Sequence, residues 1–196
     1  MTVIDDKHYI DLVIKGDTAS FALLVEKYKD IVFTLALKMI KSREEAEEVC
    51  QDAFIKVYKS LGRFKGESKF STWLYKVAYN TCLDYMKKNN KDQHVVAIDD
   101  YTDDQVASLN NTLDSLEEKE RKQMIQDCLL SLPGEDSFLL TLYYFEEQSV
   151  KEISKIIGIT ANHVKIKLYR SRKKLTAILR EHLEPEISSY YENEHR

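Results

Sequence analysis

Only five glycines and two prolines interrupt 196 residues, and this scarcity of helix-breaking residues constrains the fold more than any other feature. Apolar side chains recur every three or four positions rather than alternating, the period of helices that pack through one face. Gly16, Gly62, Pro133 with Gly134, and Gly158 fall where that period is interrupted. The spacing predicts helices over 5–15, 18–40, 43–61, 71–89, 113–132, 135–145, 150–157 and 161–182, hence an all-α protein.

The net charge of -4 conceals a block structure. From 60 to 91 the cations Arg63, Lys65, Lys69, Lys76, Lys87, Lys88 and Lys91 meet only Glu67 and Asp84; from 92 to 120 acidic residues dominate; from 150 to 182 cations return. Charges more than about 10 Å apart are screened at physiological salt, so a polyanion senses each block and not the total. The acidic stretch "KDQHVVAIDDYTDDQVASLNN" has no sustained apolar period and reads as a flexible linker. Two small helical domains, 1–90 and 113–196, joined by an acidic linker over 91–112, are expected.

No apolar run approaches the roughly 18 residues that cross a bilayer, and the acidic start "MTVIDD" lacks the regions of a signal peptide. A cytoplasmic protein without membrane insertion is expected. Cys50, Cys82 and Cys128 lie far apart in apolar periodic segments, with no C-x-x-C pair, so they read as buried thiols and no metal or cofactor is expected.

The segment "SVKEISKIIGITANHVKIKLYRSRKKL" carries the most specific pattern. A short helix buries Ile153, Ile156 and Ile157; Gly158 turns the chain, Ile159 pins the turn and Thr160 caps a second helix. In that second helix Val164, Leu168, Ser171 and Leu175 face inward. Asn162, His163, Ile166, Tyr169, Arg170 and Lys173 line the other side, flanked by Lys165, Lys167, Arg172 and Lys174. This is a helix-turn-helix whose outer face suits a DNA major groove, with base edges read near its N-terminus and phosphates held by the cations.

Two further segments carry candidate contacts. In the helix from Arg43, Ala46, Val49, Cys50, Ala53, Val57 and Leu61 share the core side, whereas Glu48, Gln51, Asp52 and Ile55 share the other. The pattern leaves both a docking face and an incidental exposed isoleucine open. In "FKGESKFSTWLYKVAYN" a short turn leads to a helix that Ser71 or Thr72 can cap. Its positive end, with Lys65 and Lys69, favours a phosphate backbone, while rings such as Phe64 and Trp73 offer stacking surfaces for unpaired bases. Phe70 and Trp73 pack the turn as readily as they touch a base. Lys76, Tyr79, Asn80 and Leu83 are expected to face away from the core.

The stretches "GDTASFALLVEKY", "EEAEEVCQDAFIKVYKSLGRFKGESKFSTWLYKVAYNTCLDYM" and "LPGEDSFLLTLYYFEEQSVKEISKIIGITANHVKIKLYRSRKKL" closely resemble the sigma-70 family, in its small extracytoplasmic-function (ECF) group. The resemblance implies a sigma-two-like helical bundle and a sigma-four-like helix-turn-helix domain in a non-enzymatic bacterial transcription initiation factor. It assigns Glu48, Gln51, Asp52 and Ile55 to docking on the beta-prime clamp of core RNA polymerase, whose beta subunit is also a partner. It assigns Phe64, Lys65, Lys69, Trp73, Lys76, Tyr79 and Asn80 to recognition and melting of the minus-ten element. Asn162, His163, Lys165, Ile166, Tyr169, Arg170 and Arg172 fall on the minus-thirty-five reader, and the linker on the segment that threads through polymerase. An anti-sigma factor is a further expected partner.

Two departures stand out. His163 replaces a threonine common in the recognition helix, and Asp136 and Ser137 stand where an arginine is frequent after the "LP" turn. The rival readings are a helix-turn-helix regulator acting without polymerase and a sigma mimic that titrates an anti-sigma factor. Cations in both DNA-facing helices argue against the mimic, which has no use for phosphate contacts.

Overall fold

The computed structural model describes residues 5–89 and 118–194. The linker expected over 91–112 lies outside the described residues. The described elements are helices: α1 Asp6–Ile14, α2 Thr18–Ile40, α3 Arg43–Ser60, a 3-10 turn Leu61–Arg63, α4 Phe70–Lys88, α5 Glu118–Ser131, α6 Gly134–Tyr144, α7 Val150–Ile157 and α8 Ala161–Glu194.

Local chemistry fixes the starts of several helices. Asp5 accepts a hydrogen bond from the Lys7 backbone N–H at 3.4 Å. Asp17 accepts from the Ala19 N–H at 3.0 Å and from the Ser20 hydroxyl at 2.7 Å. At α7, Ser149 and Glu152 form a reciprocal capping box, which satisfies two amide groups that no helical carbonyl reaches. Gly158 ends α7 at φ 74°, a left-handed conformation that glycine adopts without steric cost.

Three expectations about boundaries fail. α4 begins at Phe70 with Lys69 in the capping position and no side-chain cap, so neither Ser71 nor Thr72 serves; Thr72 is drawn inward and buried instead. Gly134, expected in a break, opens α6. α8 continues to Glu194 rather than ending at His182, running through Pro185.

The helices form two subdomains. In the first, α1 to α4 enclose Val32, Leu35, Ala46, Val57 and Leu74, each at most 1% exposed. Tyr28 ties α2 to α1 by donating to Asp6 Oδ2 at 2.6 Å. In the second, α5 to α8 enclose Phe138, Leu142, Ile153, Val164 and Leu168. The two cores meet. α6 packs on α2 and α7 packs on α4, so one buried apolar cluster runs through both subdomains.

Candidate nucleic-acid interface

The helix-turn-helix is built from α7 and α8. Ile153 and Ile156 are buried, Ile157 and Ile159 half-buried, and the Ser154 hydroxyl donates to the Ile159 carbonyl at 2.5 Å, which closes the turn. Thr160 accepts from the His163 N–H at 3.3 Å. Val164, Leu168 and Ser171 face inward as expected and Leu175 is half-buried. Asn162, His163, Lys165, Ile166, Tyr169, Arg170 and Arg172 are exposed on α8. The Lys173 ammonium sits 5.1 Å from the Tyr169 ring centroid.

What holds α8 in place was not legible from apolar spacing. Asp136 in α6, only 7% exposed, accepts from the Ser171 hydroxyl at 2.6 Å and from Lys174 Nζ at 2.6 Å. Lys167 pairs with Glu135 on the same helix. The pair Asp136 and Ser137, where an arginine is frequent in similar proteins, therefore supplies a carboxylate clasp for the recognition helix. Charged hydrogen bonds of this kind are roughly twice as strong as neutral ones.

Around the turn before α4, four rings pack on one another. Phe70 lies 5.6 Å from Tyr28 and 5.8 Å from Phe64, and Trp73 lies 5.3 Å from Phe64 and 5.9 Å from Phe70, between ring centroids. Phe70 is buried, while Phe64 and Trp73 keep an accessible side. Between this turn and α1 opens a cavity of about 630 Å³ lined by Asp6, Asp11, Phe64, Lys65 and Lys69 among others. Lys65, Lys76 and Asn80 are exposed.

The expected outward face of α4 needs correction at two positions. Tyr79 is buried with its ring 5.1 Å from that of Phe138, and Leu83 is half-buried. α4 has neighbours on two sides, the N-terminal helices and the C-terminal subdomain, so a helical wheel drawn for one core assigns its second side wrongly. Lys69 is not free either: its Nζ lies 3.0 Å from Glu152.

On α3 the expected division holds. Ala46, Val49, Ala53, Val57 and Leu61 are buried and Cys50 half-buried, while Glu48, Gln51, Asp52 and Ile55 are exposed, Ile55 at 49%. Glu48 and Asp52 border a groove of about 280 Å³ between α3 and α4. The three cysteines are free thiols, and burial raises that of Cys82 to about 12. Among the described residues no group of three or more metal-ligating side chains converges, and no helix is long and apolar enough to cross a membrane.

With this geometry in hand, comparison with known proteins is decisive. The profile of sigma-70 region 2 matches residues 24–92, and that of sigma-70 region 4 matches residues 122–175. The ECF RNA polymerase sigma factor SigW of Bacillus subtilis (strain 168) is 33% identical over 188 residues, covering 89% of this chain and 97% of the relative. The RNA polymerase sigma-H factor of Pseudomonas aeruginosa is 30% identical over 195 residues, covering 92% of this chain and 99% of the relative.

Two solved structures share the all-α arrangement at low identity. CnrH in complex with the cytosolic domain of CnrY aligns with a TM-score of 0.56 at 18% identity, over 89% of this chain and 96% of that one. The sigma factor RpoE in complex with the anti-sigma factor NepR from Bartonella quintana aligns with a TM-score of 0.60 at 17% identity, over 82% of this chain and 96% of that one. The helix-turn-helix and the helical bundle thus define a transcription initiation factor. The chain belongs to the sigma-70 family, in its ECF group. A sigma factor binds RNA polymerase and directs transcription, and is not itself an enzyme.

Proposed function

We propose that this sigma factor divides its work between two ends, with residues 1–90 docking on polymerase and opening the minus-ten element and residues 113–196 reading the minus-thirty-five element. The observation that carries the strand-opening role is the cavity beside the Phe64–Phe70 turn, walled by rings and edged by the exposed Lys65. An unpaired base gains about 1 to 3 kcal/mol by stacking on an aromatic side chain, and a phosphate beside it is held by the lysine. Closed duplex has no use for such a cavity, because its bases are stacked and inaccessible.

In this reading Glu48, Gln51, Asp52 and Ile55 meet the beta-prime clamp. Lys76 and Asn80, exposed on α4, follow the separated strand, and Asn162, His163, Lys165, Ile166, Tyr169, Arg170 and Arg172 meet duplex. The linker over 91–112 threads through polymerase, where its acidity suits a basic channel. The anti-sigma factor NepR seated on a protein of the same fold supports a similar partner for this chain. The end-to-end match to SigW and sigma-H leaves the polymerase-independent regulator and the mimic without support.

The test changes Lys76 and Asn80 together to Ala and follows promoter melting with permanganate in reconstituted holoenzyme. Melting is expected to fall while holoenzyme assembly is unchanged, and a template carrying a pre-melted bubble is expected to restore part of the activity. Normal melting in the variant would remove the strand-opening role.

A further inference from the structure

The subdomain interface covers surface that the proposed function gives to DNA. Tyr75, 2% exposed, donates its hydroxyl to Glu146 at 2.7 Å, and Tyr79 stacks on Phe138. Lys69 pairs with Glu152. At the far end of the same interface Lys38 is 4% exposed and donates to the Gln126 side chain at 2.8 Å and carbonyl at 3.2 Å. Lys41, which ends α2 in a left-handed conformation, donates to the Leu130 carbonyl at 2.6 Å.

Gly134 marks how close the approach is. A Cβ placed there would lie 2.6 Å from the Met39 carbonyl oxygen, 3.0 Å from its Cα and 3.2 Å from its carbonyl carbon, so only glycine lets α6 meet the end of α2. Domains within a chain move relative to one another by default unless their interface is large and apolar. Here the contact includes buried lysine, tyrosine hydroxyl, stacked rings and a backbone-to-backbone approach, the character of an interior.

This arrangement cannot be the one that reads a promoter. α7 rests on α4 and α8 on α7, and packed helices lie 8–10 Å apart, so the two DNA-reading helices are within roughly 20 Å of each other. The minus-ten and minus-thirty-five elements are separated by about 25 base pairs, roughly 85 Å at 3.4 Å per step. No single placement of the closed molecule serves both.

We infer that in the free protein the C-terminal subdomain occupies the α2 and α4 face of the N-terminal subdomain, and that this closed form is autoinhibited and opened by polymerase. The closure stands on the contacts alone; the inhibition rests on the functional reading above. An affinity measured against a partly closed population is weakened by the fraction that is open. Core polymerase therefore binds the closed chain more weakly than an opened one.

The full-length chain is treated with a carbodiimide, which joins paired lysines and carboxylates directly, and the links are mapped by mass spectrometry. A Lys69–Glu152 link is expected in the free chain and is expected to vanish with saturating core polymerase. The Lys167–Glu135 link, internal to the C-terminal subdomain, is expected to persist in both. Gly134→Ala is expected to abolish the Lys69–Glu152 link and to raise core affinity at least threefold, because alanine suits a helix but collides with Met39. Should Gly134→Ala fold poorly, Glu146→Ala, which strips the buried Tyr75 hydroxyl of its acceptor, is expected to act in the same direction. Absence of the Lys69–Glu152 link beside a formed Lys167–Glu135 link overturns the closure. Persistence of the link in holoenzyme, or unchanged affinity in the opened variants, overturns the inhibition. Failure of the wild-type chain to bind polymerase overturns the functional reading and the inhibition together, while the free-chain link still reports on closure.

Discussion

At the scale of the residue, Asp136 shows how one side chain serves a surface that it never reaches. Its carboxylate lies under the recognition helix and holds Ser171 and Lys174, so the exposed face with Tyr169 and Arg170 is presented at a fixed angle. The Lys174 side chain is only 15% exposed, and a buried ammonium that loses its carboxylate is left uncompensated. Breaking such a pair from one side costs about 3 to 5 kcal/mol. Asp136→Ala is expected to destabilise the helix-turn-helix by about 3 kcal/mol in denaturant titration, and Asp136→Asn by less, because the amide still accepts from Ser171. Equal stability of Asp136→Ala and wild type would show the clasp to be dispensable.

At the scale of the element, α7 is short and owes its start to the capping box. Glu152 accepts from the Ser149 hydroxyl at 2.7 Å and the Ser149 N–H at 2.9 Å, and then pairs with Lys69. These partners hold its carboxyl at about 2, below the ordinary 4.5. The folded value is the lower one, so the stabilisation is fully present above the ordinary value and is lost as pH falls through about 2. Amide exchange at residues 149 to 153 is expected to quicken progressively over that window, and Glu152→Gln to flatten the dependence. α3 gives the complementary case of an element whose outer side carries no structural duty. Changing Asp52 and Ile55 together to Lys is expected to leave helix content intact and weaken binding to core polymerase by ~30-fold or more, the loss of ~2 kcal/mol typical of a hot spot. Undiminished association would move the docking face elsewhere.

At the scale of the whole molecule, the shared apolar cluster couples two bodies that the linker alone would leave independent. A single cooperative calorimetric transition is expected for the free chain, because neither subdomain can unfold without exposing part of the other's buried surface. Gly134→Ala is expected to split it into two transitions. Two transitions already present in the wild type would mean that the subdomains are energetically separate.

Much of this was written in the chain locally. Helical spacing and few breakers dictate an all-α protein, because a helix satisfies its own backbone groups and needs only one apolar stripe to pack. The turn at Gly158, the cap at Thr160 and the outward set from Asn162 to Arg172 follow from neighbours a few residues away, as does the exposed row from Glu48 to Ile55. Tertiary structure decided what depends on residues distant in sequence. Tyr79 was expected outside and lies against Phe138; Gly134 was expected in a break and proves to be a point of close approach to Met39; Lys38 and Tyr75 found acceptors 88 and 71 positions away. A period reveals which side of a helix is apolar. It cannot say how many neighbours the helix will have, and α4, held between two subdomains, has one more than its sequence pattern shows.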